Sequence, residues 1–118
     1  MRLTEISYGT AMPIEGYGPG FFRVGGHLLR GPCLITPWGA GVWGGLEDTA
    51  APLSLAGRID VLFVGMGTEI AHVPCRFRDA VEAGGIGVEV MNSPAACRTY
   101  NVLLSEGRRI AAALLPVT

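Results

Sequence analysis

The 118-residue sequence contains no lysine. Its nine cationic side chains are all arginine, which excludes Schiff-base chemistry on a lysine and the phosphate-binding lysine of P-loop nucleotide hydrolases. Charge of either sign is scarce, at 16% of residues, and the formal net charge is -1. Nine dispersed arginines do not build the concentrated positive field that counterion release demands, so no nucleic-acid partner is expected. Cysteine is limited to Cys33, Cys75 and Cys97. An odd number at wide spacing is neither a disulfide framework nor a CxxC motif, and reduced thiols are expected. Long hydrophobic runs are missing too. The stretch Ile110 to Val117 falls well short of the roughly 20 apolar residues that span a bilayer, so no direct membrane insertion is expected. Met1 to Thr10 carries Arg2 and Glu5 without an apolar core, which gives the expectation of a cytoplasmic protein with neither secretory signal nor anchor.

What is abundant is apolar surface and glycine. Hydrophobic residues make up 49% of the chain, enough to exclude disorder as the dominant state. The length suits one domain, residues 1–118. Eleven of the 18 glycines fall in the first 45 residues, dividing that domain into a glycine-rich region, 1–45, and a more regular one, 46–118.

In the first region Met12 to Tyr17, Phe21 to Val24, His27 to Leu29 and Cys33 to Thr36 are short apolar or aromatic segments. The breakers Gly18-Pro19-Gly20, Gly25-Gly26 and Gly31-Pro32 separate them, which predicts antiparallel hairpins. Trp38 and Trp43 flank a further glycine-rich segment that reads as a loop, and both indoles read as core or rim packing. In the second region Leu46 to Ala56 predicts a short helix capped at Asp48 or Thr49. Ile59 to Gly65 reads as a strand covered on both faces. Pro74 to Ala83 predicts a helix stopped by Gly84-Gly85, and Gly87 to Val90 a strand. A last helix follows from a cap at Asn92 or Ser93 to Gly107, then a strand over Ile110 to Leu115. The expected fold is α/β: a single three-layer domain with a mixed sheet, a parallel βαβαβ C-terminal half and an antiparallel, hairpin-rich N-terminal half.

Gly65-Met66-Gly67-Thr68 follows the buried strand and invites comparison with a dinucleotide fingerprint, with Glu89 near the place of a ribose ligand. Ile70 occupies the third glycine position, however, and Pro74 delays the next helix. The segment reads instead as a tight strand exit at the carboxyl edge of the sheet. His72 and Cys75 have an H-x-x-C spacing but lack the further ligands a zinc site needs, so no metal and no cofactor is expected. His27 reads as a strand residue. Cys97 has only two histidines, His27 and His72, available as partners, so a nucleophilic thiol is unsupported and the reading leans away from an enzyme without excluding one.

The helix after Met91 presents Ala96, Tyr100, Leu103 and Leu104 on one face and Arg98, Ser105 and Arg109 away from it. Asn101 on a semi-buried face needs hydrogen-bond partners, and Glu106 with Arg108 is placed to pair at the helix end. Candidate ligand or partner-binding residues are Gly65, Gly67, Thr68, Asn92, Ser93, Arg98, Thr99, Asn101, Arg108 and Tyr17. In the sharpest version, Arg98 and free N–H groups after Ser93 face the Gly65 to Thr68 exit and attract an anion.

An ordered series of segments runs through the chain: Ile14-Glu15-Gly16-Tyr17, Phe22-Arg23-Val24-Gly25-Gly26, Gly31-Pro32-Cys33, Val64-Gly65-Met66-Gly67-Thr68, Gly85-Ile86-Gly87-Val88-Glu89-Val90-Met91, Ala96-Cys97-Arg98-Thr99-Tyr100-Asn101, Glu106-Gly107-Arg108 and Ala112-Ala113-Leu114-Leu115-Pro116. It resembles the small α/β domain family that includes the mitochondrial respiratory complex I assembly factor three, an adipogenesis-associated homologue and many bacterial members. The family often has Asp-Thr where this chain has Asn92-Ser93, which preserves capping but removes a carboxylate. The resemblance implies a single three-layer domain and a non-catalytic interaction or assembly role, with protein partners that include membrane-complex subunits. The alternative expectation is a small-molecule or anion-binding protein, an enzyme included, with its site at the carboxyl edge of the sheet.

Overall fold

A computed structural model describes residues 13–118. The expectations drawn from Met1 to Thr10, and Met12 of the first segment, lie outside the described residues. Three strands, β1 (Ile14–Gly18), β2 (Phe21–Val24) and β3 (His27–Arg30), form an antiparallel sheet in the order β1-β2-β3. The β2–β3 hairpin closes through Gly25 and Gly26, with φ of 58° and 78°. Two successive positive φ values match the right-handed twist of the flanking strands, and glycine adopts them without Cβ strain.

A second sheet of five strands carries the rest of the molecule. It contains β4 (Cys33–Thr36), β5 (Gly39–Val42), β6 (Val61–Met66), β7 (Gly87–Met91) and β8 (Ile110–Leu115), in the order β5-β4-β8-β6-β7. β6 is parallel to β7 and β8, while β4 is antiparallel to β5 and β8. The helices are α1 (Ala50–Leu53), α2 (Cys75–Ala83) and α3 (Ser93–Ser105). The parallel β6-α2-β7-α3-β8 half and the antiparallel hairpins agree with the expected α/β architecture.

The layers follow from side-chain alternation along the central strands. On β8, Ile110, Ala112 and Leu114 pack with α3 residues Ala96, Cys97 and Tyr100 and with Phe22, Val24 and Leu29 of the smaller sheet. Ala111 and Ala113 face the other way, toward Phe77 and Val81 of α2 and Ala51 of α1. β6 splits likewise, Phe63 to the first core and Leu62 and Val64 to the second. The five-stranded sheet is thus the middle layer, with α3 and the three-stranded sheet on one face and α1 and α2 on the other.

Two elements differ from expectation. The segment after Trp38, read as a loop, forms β5. Gly-Ala-Gly-Val has weak β propensity, but the Thr36 hydroxyl closes the hairpin by donating to Gly39 O (2.9 Å) and accepting from the N–H groups of Trp38 and Gly39 (both 3.1 Å). The helix expected over Leu46 to Ala56 shrinks to four residues. Thr49 at its N-cap position makes no side-chain cap bond; Asp48 instead accepts from Ala51 N–H at 3.1 Å and from Gly44 N–H at 3.1 Å.

Candidate functional site

Gly65, Gly67, Thr68, Asn92 and Ser93 lie at the ends of β6 and β7 and the start of α3, at the carboxyl edge of the parallel strands, and Ser93 is bonded to Gly67. Ser93 N–H donates to Gly67 O at 2.8 Å, and Gly67 N–H donates to Ser93 Oγ at 2.9 Å. The same hydroxyl donates to Leu115 O at 2.5 Å. Ser93 has no exposed surface. Gly65 is glycine because α3 begins on top of it: a Cβ there would lie 2.7 Å from Ser93 Oγ and 2.8 Å from both Ser93 Cα and Leu114 Cδ2. Thr68 Oγ1 accepts from Thr118 N–H at 3.0 Å and pairs with its hydroxyl at 3.1 Å.

The free N–H groups expected after Ser93 are therefore engaged. Pro94 has none, Ala95 N–H donates to Asn92 Oδ1 at 2.8 Å, and Ala96 N–H donates to Asn92 O at 3.0 Å. Asn92 caps α3 as the sequence predicted. The corner is closed by its own hydrogen bonds, and an anion would have to displace them.

The other candidates lie elsewhere. Arg98 does not join the Gly65 to Thr68 exit. With Thr99, Val102 and Leu103 it lines a shallow depression on the outer side of α3. Asn101 is engaged in the fold: its Oδ1 accepts from Ile14 N–H at 2.7 Å and its Nδ2 donates to Ile14 O at 2.9 Å. Tyr17 is exposed on β1. Arg108 is exposed beyond the end of α3, at the opposite end of the sheet from Ser93, because α3 runs antiparallel to the strands it connects. The pairing expected between Glu106 and Arg108 does not form: the ion pairs among the described residues are Arg78–Glu82 at 3.3 Å and Arg109–Asp60 at 3.4 Å.

Cys33 and Cys97 are buried in the same core, and Cys75 is exposed. Burial pushes the Cys97 thiol up to about 12, partly offset by the Arg98 guanidinium. Burial raises Cys33 further, with Cys97 adding to the shift. Neither is a ready nucleophile. Among the described residues no three His, Cys, Asp or Glu side chains are placed to share a metal ion, so His72 and Cys75 gain no third ligand there. They do border an open depression of about 470 Å³ on the α2 side, lined by Ile70, Ala71, His72, Val73, Cys75, Arg78 and Val90. Sequence reasoning named His72 and Cys75 only as a ligand pair and missed this depression. Its signal was the long loop between Gly67 and Pro74, which holds the exposed Ile70.

Fold and corner together define a two-sheet α/β domain whose connecting helix is sewn into the carboxyl edge. Residues 14–115 match the family described as a protein of unknown function (DUF498/DUF598), and the chain belongs to that family. It is 50% identical to an uncharacterized protein of Rhodobacter capsulatus over 117 residues, covering 99% of this chain and 94% of that one. It is 34% identical to the human NADH dehydrogenase [ubiquinone] 1 alpha subcomplex assembly factor 3 over 123 residues, covering 98% of this chain and 67% of the human protein. A crystal structure described as an outer membrane protein from Bartonella henselae superposes with a TM-score of 0.82 at 35% identity, covering 92% of this chain and 97% of that one. Among the described residues no helix is long and apolar enough to cross a membrane.

Proposed function

We propose that the chain is a non-catalytic interaction protein that works, in the cytoplasm, on protein subunits of an NADH:ubiquinone oxidoreductase during assembly. The observation that carries this reading is the similarity to the human assembly factor, which extends over 98% of the chain and so includes both sheets and α3. The closed Ser93 corner adds support, because the residues that first suggested an anion site are used to hold the fold. The surface assigned to partners is the layer formed by α3 and the three-stranded sheet. Tyr17, Leu28 and Val102 of these elements are exposed at 44%, 38% and 56%, and Val102 lines the same depression as Arg98 and Thr99. Exposed aromatic and arginine side chains around apolar contacts are the usual anchors of protein interfaces.

The test is genetic and biochemical. Cells lacking the gene are expected to accumulate less intact NADH:ubiquinone oxidoreductase on native gels. Wild-type protein should restore it, and a Tyr17→Ala, Val102→Glu double variant that folds normally should not. Unchanged levels of the complex in the deletion strain would refute the reading.

A further inference from the structure

We propose that the depression beside α2 binds a small amphipathic carboxylate, an acid head joined to a short apolar body. Its position follows from the topology. β6 leaves the sheet toward α2, whose Phe77 and Val81 pack on one face, while the adjacent β7 leaves toward α3, whose Ala96 and Tyr100 pack on the other. Loops that diverge from neighbouring parallel strands open a crevice at the carboxyl edge, and open α/β sheets hold their ligands there. The Ser93 bonds close the α3 side of this edge. The α2 side stays open, and its volume of about 470 Å³ suits a small molecule.

The lining selects the ligand chemistry. Ile70, Ala71, Val73 and Val90 supply an apolar wall, and Ile70 is 66% exposed, so an apolar body placed against it would remove that surface from water. Arg78 supplies the charge. Its Nη1 donates to Val88 O at 3.2 Å and to Glu82 Oε2 at 3.3 Å, which orients the guanidinium. A guanidinium carries five N–H donors, and among the described residues Nη2 and Nε have no partner, leaving them for one carboxylate. Because Glu82 already offsets part of the Arg78 charge, the site favours a monoanion with apolar contacts over a phosphate dianion.

Sodium octanoate, octanol and inorganic phosphate, titrated into the ¹⁵N-labelled protein, test this. Octanoate is expected to give saturable amide shifts confined to residues 70–78 and 88–90, with octanol and phosphate giving none that saturate. Arg78→Gln and Ile70→Glu should each weaken octanoate roughly tenfold or more. Ile70 is exposed, so Ile70→Glu keeps the test decisive if Arg78→Gln unfolds. No saturable shift, equal shifts with octanol or phosphate, or undiminished binding by Ile70→Glu would overturn the proposal. Any of these leaves the assembly reading untouched, because the titration involves no partner protein.

Discussion

Ser93 and Gly67 are bonded to each other twice, N–H to O at 2.8 Å and N–H to Oγ at 2.9 Å. The first turn of α3 is thereby fixed to the exit of β6, and through the same hydroxyl to Leu115 at the end of β8. Ser93→Ala leaves the Gly67 N–H and the Leu115 carbonyl short of this partner, at a cost of about 1–3 kcal/mol for the buried Gly67 N–H and less for the half-buried carbonyl. The expected result is a clear fall in thermal midpoint with an unchanged far-UV spectrum. A midpoint equal to wild type would mean that Ser93 does not hold this corner.

Gly65→Ala probes the same contact from below. Its Cβ would meet Ser93 and Leu114 at 2.7–2.8 Å, closer than packed atoms sit, so a loss of about 1–3 kcal/mol or more is expected on chemical denaturation. Gly16→Ala, where nothing lies within 4 Å, serves as the control and should shift stability by less than about 0.5 kcal/mol. Equal effects at the two glycines would contradict the close approach.

Asn101 holds β1 by bonding both backbone groups of Ile14. Asn101→Ala should therefore release the start of β1, and hydrogen exchange should speed up at Ile14 before it changes in β6 or β8. Asn101→Asp retains the acceptor but loses the donor and turns an oxygen toward the Ile14 carbonyl, so no rescue is expected. Protection at Ile14 that survives both variants would rule out the bridge.

Alkylation should separate the thiols. Iodoacetamide at neutral pH is expected to modify Cys75 alone in the native protein, and all three cysteines after unfolding. Mass spectrometry showing native modification of Cys33 or Cys97 would contradict their burial.

The Cys97 shift also gives a sign to alkaline stability. Its folded value is raised from the ordinary 9.0 to about 12, so the unfolded chain loses this proton first. The contribution is complete below pH 9.0 and falls away as pH rises toward about 12. The Cys97→Ala variant should show a flatter decline than wild type over that window, whatever its stability at neutral pH. Parallel declines would show that this thiol does not titrate as stated.

Much of the architecture was legible because it rests on local rules. Gly25-Gly26 specifies a tight hairpin, the apolar run of β6 specifies a buried strand, and Asn92 followed by Pro94 specifies the start of α3. β5 was illegible because two of its four residues are glycine, and its strand geometry comes from pairing with β4 and from the Thr36 hydroxyl. α1 was overextended because Asp48 engages Gly44 as well as Ala51, which holds the preceding segment in a turn.

The candidate site divides along the same line. Its residue types at the carboxyl edge followed from glycine, asparagine and serine chemistry near strand and helix ends. Their use did not: Ser93 and Gly67 are 26 residues apart, and only the packing of α3 against β6 joins them.

The sequence by itself determined a lysine-free, near-neutral α/β chain with a glycine-rich hairpin region and a parallel second half. Composition and local backbone preference act residue by residue, so they can be read without coordinates. Tertiary structure alone decided that the Ser93 corner is closed, that Asn101 bridges to β1 and that the open crevice lies beside α2. Hydrogen bonds and cavities depend on which distant groups meet, and that is set by the order and crossing of the strands.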